Sequence, residues 1–153
     1  MQERKNLLDV LKELDLNPEK TKILLDFLKE LAHEDTSPKR TITEIYIFNL
    51  LDELGAPCRF SGREYILEAT QYVLIHGKVN FSKELYPHIA KKFDSTPSRV
   101  ERDIRVIIEK CFEQHNEQLL SIFQNTINPK SGKVTNSEFI YGLANYTKKN
   151  VYF

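Results

Sequence analysis

Apolar residues recur at helical spacing along almost the whole chain, and glycines and prolines separate the segments that carry them. Because no segment shows the alternation of a half-buried strand, the sequence predicts an all-α fold. Six helices are predicted beyond residue 40. Two of them flank the turn at Asp94–Thr96, and the other four run from about Thr43 to Leu54, Gly62 to His76, Glu117 to Asn125 and Ser137 to Lys148. Gly55 and Gly77 are expected to end the first two of these four, since glycine tolerates positive φ.

Two shorter amphipathic helices are predicted before this domain. The first includes Leu7–Leu14 and the second runs from about Glu19 to Ala32. A polar segment containing Pro38 follows, so the predicted domains are a helical N-terminal appendage with its linker, 1–40, and a helical domain, 41–153. Because isolated helices of this length are marginal, we expect the appendage to pack on its own domain, or else on itself or on a second chain.

Composition and motifs exclude several classes of function. No apolar run approaches the roughly 18 residues of a membrane span, and the N-terminus lacks a signal-peptide core, so we expect a cytoplasmic protein with no membrane partner. Cys58 and Cys111 form no CxxC pair and are expected to be buried free thiols. The four histidines have no ligand spacing, so neither a metal nor a cofactor is expected. An enzyme is not expected, because no nucleophile elbow, phosphate loop or carboxylate pair occurs.

The chain has no net charge, but its charges are unevenly distributed. Residues 1–38 hold six Lys or Arg against nine Asp or Glu, whereas residues 83–110 hold seven basic residues against five acidic ones. Residues 128–153 hold four basic residues against one acidic residue. The C-terminal two-thirds can therefore present a positive face that the overall balance conceals.

The stretch LYPHIAKKFDSTPSRVERDIRVIIEKC, Leu85–Cys111, predicts a helix-turn-helix. Pro87 fits the first turn of the first helix, where a missing N–H costs nothing. Asp94–Ser95 turns the chain. Thr96 is a good N-cap for the second helix, and Pro97 fits its first position.

The second helix has two distinct faces at about 100° per residue. An apolar stripe consists of Val100, Ile104, Ile107, Ile108 and Cys111. The opposite face carries Arg102, Arg105, Val106 and Glu109, with Arg99 and Glu101 on its flanks. The arginine fork can bond O6 and N7 of guanine, and glutamate can accept from the cytosine amino group, so this face suits the major groove. Alternatively, the arginines form an ordinary solvated face and pair with acidic neighbours.

Three blocks of the chain occur in a fixed order: ELGAPCRFSGREYILEA, LYPHIAKKFDSTPSRVERDIR and KVTNSEFI. Together they resemble the DNA-binding effector domain of the master sporulation response regulator, the stage-zero sporulation protein A family, from about Thr41 to Lys148. The resemblance implies a six-helix, all-α domain whose helix-turn-helix inserts its second helix into the major groove. It further implies DNA base contacts by Arg99, Glu101, Arg102 and Arg105, and DNA backbone contacts by Ser98, Lys91 and Lys92.

The chain departs from this family in three places. Only about 40 residues precede the matching part, too few for the family's doubly wound receiver domain, so we expect no control by aspartyl phosphate in a receiver of its own. Val106 stands where the family has histidine, and an apolar side chain could touch a thymine methyl instead. The corresponding stretch of the family is basic, whereas Glu113–Gln118 is not. We expect this difference to weaken contact with DNA or RNA polymerase.

The leading interpretation is a transcription regulator of the sporulation type that binds duplex DNA sequence-selectively and is not controlled by its own receiver domain. The alternative is a protein-interaction antagonist that pairs with a full-length regulator or RNA polymerase and does not need DNA. Double-stranded DNA is thus the predicted partner, and RNA polymerase and a second copy of the chain are further candidates.

Overall fold

The computed structural model describes residues 18–20, 22–24, 26 and 41–151. The chain divides into two units between Lys39 and Arg40, and each is described by itself. In the first unit, the described residues are helical, as predicted for the second N-terminal helix. The first predicted helix and the linker lie outside the described residues, and the division into domains 1–40 and 41–153 stays a prediction.

Six α-helices occur within residues 41–151: α1 (Ile42–Glu53), α2 (Ser61–His76), α3 (Tyr86–Lys92), α4 (Pro97–Glu113), α5 (Glu117–Phe123) and α6 (Asn136–Val151). A π-helical turn that the sequence did not predict, Phe81–Leu85, leads directly into α3. The described residues contain no strand, so the all-α prediction is confirmed. None of the helices in these residues combines the length and apolar character that crossing a membrane requires.

The ends of the helices follow local sequence signals. Thr41 and Glu44 form a capping box at the start of α1: the Thr41 hydroxyl accepts from the Glu44 N–H at 3.2 Å, and the Glu44 carboxylate accepts from the Thr41 N–H at 2.8 Å. Gly55 follows α1 with φ of 82°, and Gly77 follows α2 with φ of 74°. Both glycines therefore end their helices as the sequence predicts.

The core forms around α2 and α4. Helix α2 packs against α1, α4 and α6, and α4 also packs against α3 and α6. The apolar stripe predicted for α4 is completely buried: Val100, Ile104, Ile107, Ile108 and Cys111. Burial of this stripe on one side leaves the opposite side of α4 facing solvent.

Gly62 allows α2 and α4 to approach each other closely. A Cβ atom added at this position would meet the carbonyl of Asp103, lying 2.7 Å from its carbon, and would lie 2.8 Å from Cγ1 of Ile107. Both separations are shorter than a normal contact, and one of the obstructing groups is backbone. The distance between these helices therefore depends on the absence of a side chain at residue 62.

Arg63 is almost completely buried and links α2 to α1. Its Nη1 donates to the Ala56 carbonyl at 2.8 Å and lies 2.7 Å from Oδ1 of Asp52. Its Nη2 donates to the Phe48 carbonyl at 2.9 Å. The hydrogen bond from Arg63, together with its positive charge, lowers the pKa of Asp52.

The two cysteines are both free, but only one is buried. Cys111 lies in the core, and burial raises the pKa of its thiol to about 12. The prediction that Cys58 is buried is wrong. Its thiol lies in the surface connection between α1 and α2, with Sγ 3.3 Å from Nη1 of Arg63.

We expect Gly62→Ala to lower the free energy of unfolding by about 1–3 kcal/mol, because the added methyl must push α2 away from α4. Alanine has the higher helix propensity by about 1 kcal/mol, so packing and propensity predict opposite signs. Urea unfolding measures the difference. Ser61→Ala, at the neighbouring exposed position, is the control and should cost less. An unchanged or increased stability of Gly62→Ala would contradict the close helix contact.

Since the pKa of Asp52 is lowered by folding, its carboxylate stabilises the fold above the unfolded pKa, near 4, and this contribution is lost as pH falls through the lower folded value. We therefore expect Asp52→Asn to reduce stability at pH 7 and to flatten the decline of stability below about pH 4. Urea unfolding at several pH values measures both effects. Parallel pH profiles for the two proteins would show that the contact with Arg63 does not contribute.

Candidate nucleic-acid interface

Helices α3 and α4 are joined by a tight turn, as the sequence predicts. Asp94 has φ of 50°, and the Ser95 N–H donates to the Ala90 carbonyl at 2.8 Å, which satisfies a carbonyl at the end of α3. Thr96 is the N-cap of α4, with its hydroxyl accepting from the Arg99 N–H at 3.3 Å. Pro97 occupies the first turn of α4, so α4 begins directly after Thr96.

The residues predicted to contact DNA lie on the outer surface of these two helices. Six are exposed: Lys91, Lys92, Ser98, Arg99, Arg102 and Arg105. Glu101 is less exposed as a whole residue, although 45% of its side-chain surface remains accessible. Arg102 has the most accessible side chain of the paired arginines on α4, at 66%. All seven predicted residues thus lie on α3 or α4 with side chains that solvent can reach.

Some of these charges are already paired within the domain. Arg105 forms an ion pair with Glu101, one helical turn before it. Nε of Arg102 lies 3.5 Å from Oδ1 of Asp103. Within residues 41–151, neither Arg99 nor Lys91 has an ion-pair partner. Among the described residues, the candidate interface therefore contains two cations without an ion-pair partner, and the other cations must release a carboxylate before they can bind another anion.

Glu68 on α2 holds the end of α3. One carboxylate oxygen accepts from Nζ of Lys92 at 2.5 Å, and the other lies 3.1 Å from Nε2 of His88. The Glu68 side chain is only 15% exposed, whereas that of Lys92 is 54% exposed. Sequence analysis missed this residue because it lies more than twenty positions from Lys92 and no local pattern connects them.

Asn136, the first residue of α6, holds α4 on the edge opposite to the α2 contact. Its Nδ2 donates to the Glu101 carbonyl at 3.0 Å and to the hydroxyl of Tyr86 at 3.2 Å. Thr135 and Glu138 form a capping box that fixes this end of α6. The block KVTNSEFI, which the resemblance singled out, therefore supports α3 and α4 through one amide side chain.

Val106 differs from its predicted environment. It was placed on the open face of α4, but it is half-buried and lines a cleft of about 150 Å³ with Phe60, Ser61 and Asp103. The Ser61 hydroxyl donates to Oδ2 of Asp103 at 3.2 Å across this cleft. The start of α2 therefore covers one edge of α4, and the open face is narrower than a helical projection predicts.

A family model described as the C-terminal domain of the sporulation initiation factor Spo0A matches residues 47–147. The matched segment begins within α1, ends within α6 and contains the whole helix-turn-helix. The chain belongs to this family. Membership in the Spo0A C-terminal family supports a sporulation-related, DNA-binding regulator domain without enzymatic activity.

Proposed function

We propose that the protein is a transcription regulator of the Spo0A C-terminal type that binds duplex DNA sequence-selectively through α4. The observation that carries the proposal is the division of α4 into a buried apolar stripe and an opposite, exposed face with three arginines. A helix anchored on one side can enter the major groove without rearrangement of the domain. The family match supports DNA as the partner, and binding to chromosomal DNA implies a cytoplasmic location.

The proposed base contacts come from Arg99, Arg102, Arg105 and Glu101. Arg102 lies opposite the centre of the buried stripe and would point most directly into the groove. An arginine fork there fits O6 and N7 of guanine, and a carboxylate fits the cytosine amino group. The pair between Arg105 and Glu101 is exposed and therefore worth less than about 1 kcal/mol, so base contacts can replace it.

The proposed backbone contacts come from Ser98, Lys91 and Lys92. Ser98 lies in the first turn of α4, where free N–H groups and the helix dipole favour a phosphate. Lys91 is exposed and has no ion-pair partner within residues 41–151, whereas Lys92 is held by Glu68. We therefore assign the larger phosphate contribution to Lys91.

Duplex binding by this chain is proposed to be independent of aspartyl phosphate. The exposed face of α4 is open within residues 41–151, so the described domain needs no activating rearrangement to present its arginines.

The second candidate function is an antagonist that binds a full-length regulator or RNA polymerase without DNA. The observation that favours it is the pairing of Arg105 with Glu101 and of Lys92 with Glu68, which reduces the positive charge of the surface. A second copy of the chain is a further candidate partner under either function.

The variants Arg102→Ala and Lys91→Ala separate base reading from charge. The probes are a duplex selected by the protein from a random pool and a scrambled duplex of equal length. Arg102→Ala should lose about 1–3 kcal/mol of discrimination between them, because a fork contact to a base is removed. Lys91→Ala should weaken binding to both duplexes equally and lower the salt slope by about 0.9, because one phosphate contact is removed. Fluorescence anisotropy at several salt concentrations measures both quantities.

Equal losses on every duplex for both variants would show that α4 supplies only charge. Failure of the wild-type protein to select or bind any duplex, combined with stoichiometric binding to RNA polymerase, would favour the antagonist.

A further inference from the structure

Two cations lie beside the ring of Phe60, and one of them belongs to α4. Cζ of Arg59 lies 5.2 Å from the ring centroid, and Nζ of Lys110 lies 5.5 Å from it. Each contact is a cation–π interaction, which offsets part of the repulsion between the two charges. Arg59 is exposed, and Phe60 and Lys110 are half-buried. We call this arrangement the Arg59–Lys110 patch.

The patch continues one edge of α4. Lys110 follows Arg99 by eleven residues, about three helical turns, so the two side chains leave the helix on the same side. Between them lies Val106, which lines the same cleft as Phe60. The basic surface of α4 therefore extends past the residues that sequence analysis identified and onto the connection before α2.

No ion pair among the described residues neutralises the patch. Neither Arg59 nor Lys110 has an ion-pair partner within residues 41–151. The carboxylate of Asp103 accepts a hydrogen bond from Ser61 and forms an ion pair with Arg102. The carboxylate of Glu109 forms an ion pair with Lys133. Helix α2 also begins beside the patch without a side-chain cap, so its N-terminal N–H groups add positive potential, which Glu64 in the same turn partly offsets. Two cations beside one aromatic ring suit an anionic partner.

We propose that Arg59 and Lys110 bind backbone phosphates of the duplex on the side of the groove opposite to Lys91 and Ser98. This inference rests on the proposed DNA binding by α4. Lys110 lies twelve residues after Ser98, about 18 Å along the helix axis, so the two residues can reach the opposite strands of a major groove about 12 Å wide. A helix that crosses the groove meets one phosphate strand near each end, and the patch is placed for the second strand.

The test compares the double variant Arg59→Ala/Lys110→Ala with the wild-type protein on the selected and scrambled duplexes. Loss of two phosphate contacts should lower the salt slope by about 1.8. The affinity deficit of the variant should therefore be about twelvefold larger at 50 mM than at 200 mM salt, equally for both duplexes. Arg59→Lys/Lys110→Arg keeps both charges and should retain the wild-type slope. Circular dichroism checks folding, and each single alanine variant should lower the slope by about 0.9.

Lys148→Ala is the matched control. It removes one charge beside Gly77 at the other end of α2, roughly 24 Å away along that helix. Its salt slope should stay at the wild-type value.

If wild-type protein binds duplex and the double variant keeps the wild-type slope, the inference is overturned while the proposed function stands. Loss of RNA polymerase binding with an unchanged DNA slope would instead make the patch a protein-docking surface and would equally overturn it. Absence of duplex binding by the wild-type protein would overturn the proposed function and this inference together.

Discussion

Backbone contact between α2 and α4 at Gly62 sets the position of α4. On one edge of α4, Gly62 and Ser61 lie against Asp103, and on the other edge Asn136 donates to the carbonyl of Glu101. The buried stripe supplies the driving force, since each large apolar side chain contributes roughly 1.5–3 kcal/mol on burial. A helix fixed on three sides presents its arginines without a cost of ordering the backbone on binding, which favours affinity.

Local charge pairing reduces the positive charge of the candidate interface. Carboxylates from Glu101, Asp103 and Glu68 lie against cations of the interface and partly neutralise them. Each exposed pair is weak, so a contact with DNA can replace it. Low net charge lowers sequence-independent affinity, and sequence selectivity depends on the difference between the two affinities.

Features encoded by neighbouring residues could be predicted from the sequence. Thr96 and Pro97 define the start of α4, Gly55 and Gly77 end helices at positive φ, and the buried stripe follows from periodicity alone. These signals fixed which face of α4 is open and therefore where the candidate site lies. The six helices of the domain followed from the same periodicity together with the family resemblance.

Features that join distant residues could not be predicted in this way. Three contacts depend on which helices pack against each other. They are the ion pair between Glu68 and Lys92, the hydrogen bond from Asn136 to the Glu101 carbonyl, and the close approach of α4 at Gly62. The half-burial of Val106 has the same origin, because the start of α2 covers an edge that a helical projection leaves open. The burial predicted for Cys58 was wrong because this residue lies in the connection between α1 and α2. Such a connection has no hydrophobic periodicity from which burial could be predicted.

Methylation interference on the selected duplex tests major-groove recognition by α4 most directly. Methylation at guanine N7 blocks the major-groove edge that an arginine fork needs, whereas methylation at adenine N3 blocks the minor groove. Recognition by Arg99, Arg102 and Arg105 predicts strong interference from N7-methylguanine at a few positions within about one helical turn, and little from N3-methyladenine there. Interference confined to adenine N3, or binding insensitive to either modification, would contradict insertion of α4 into the major groove.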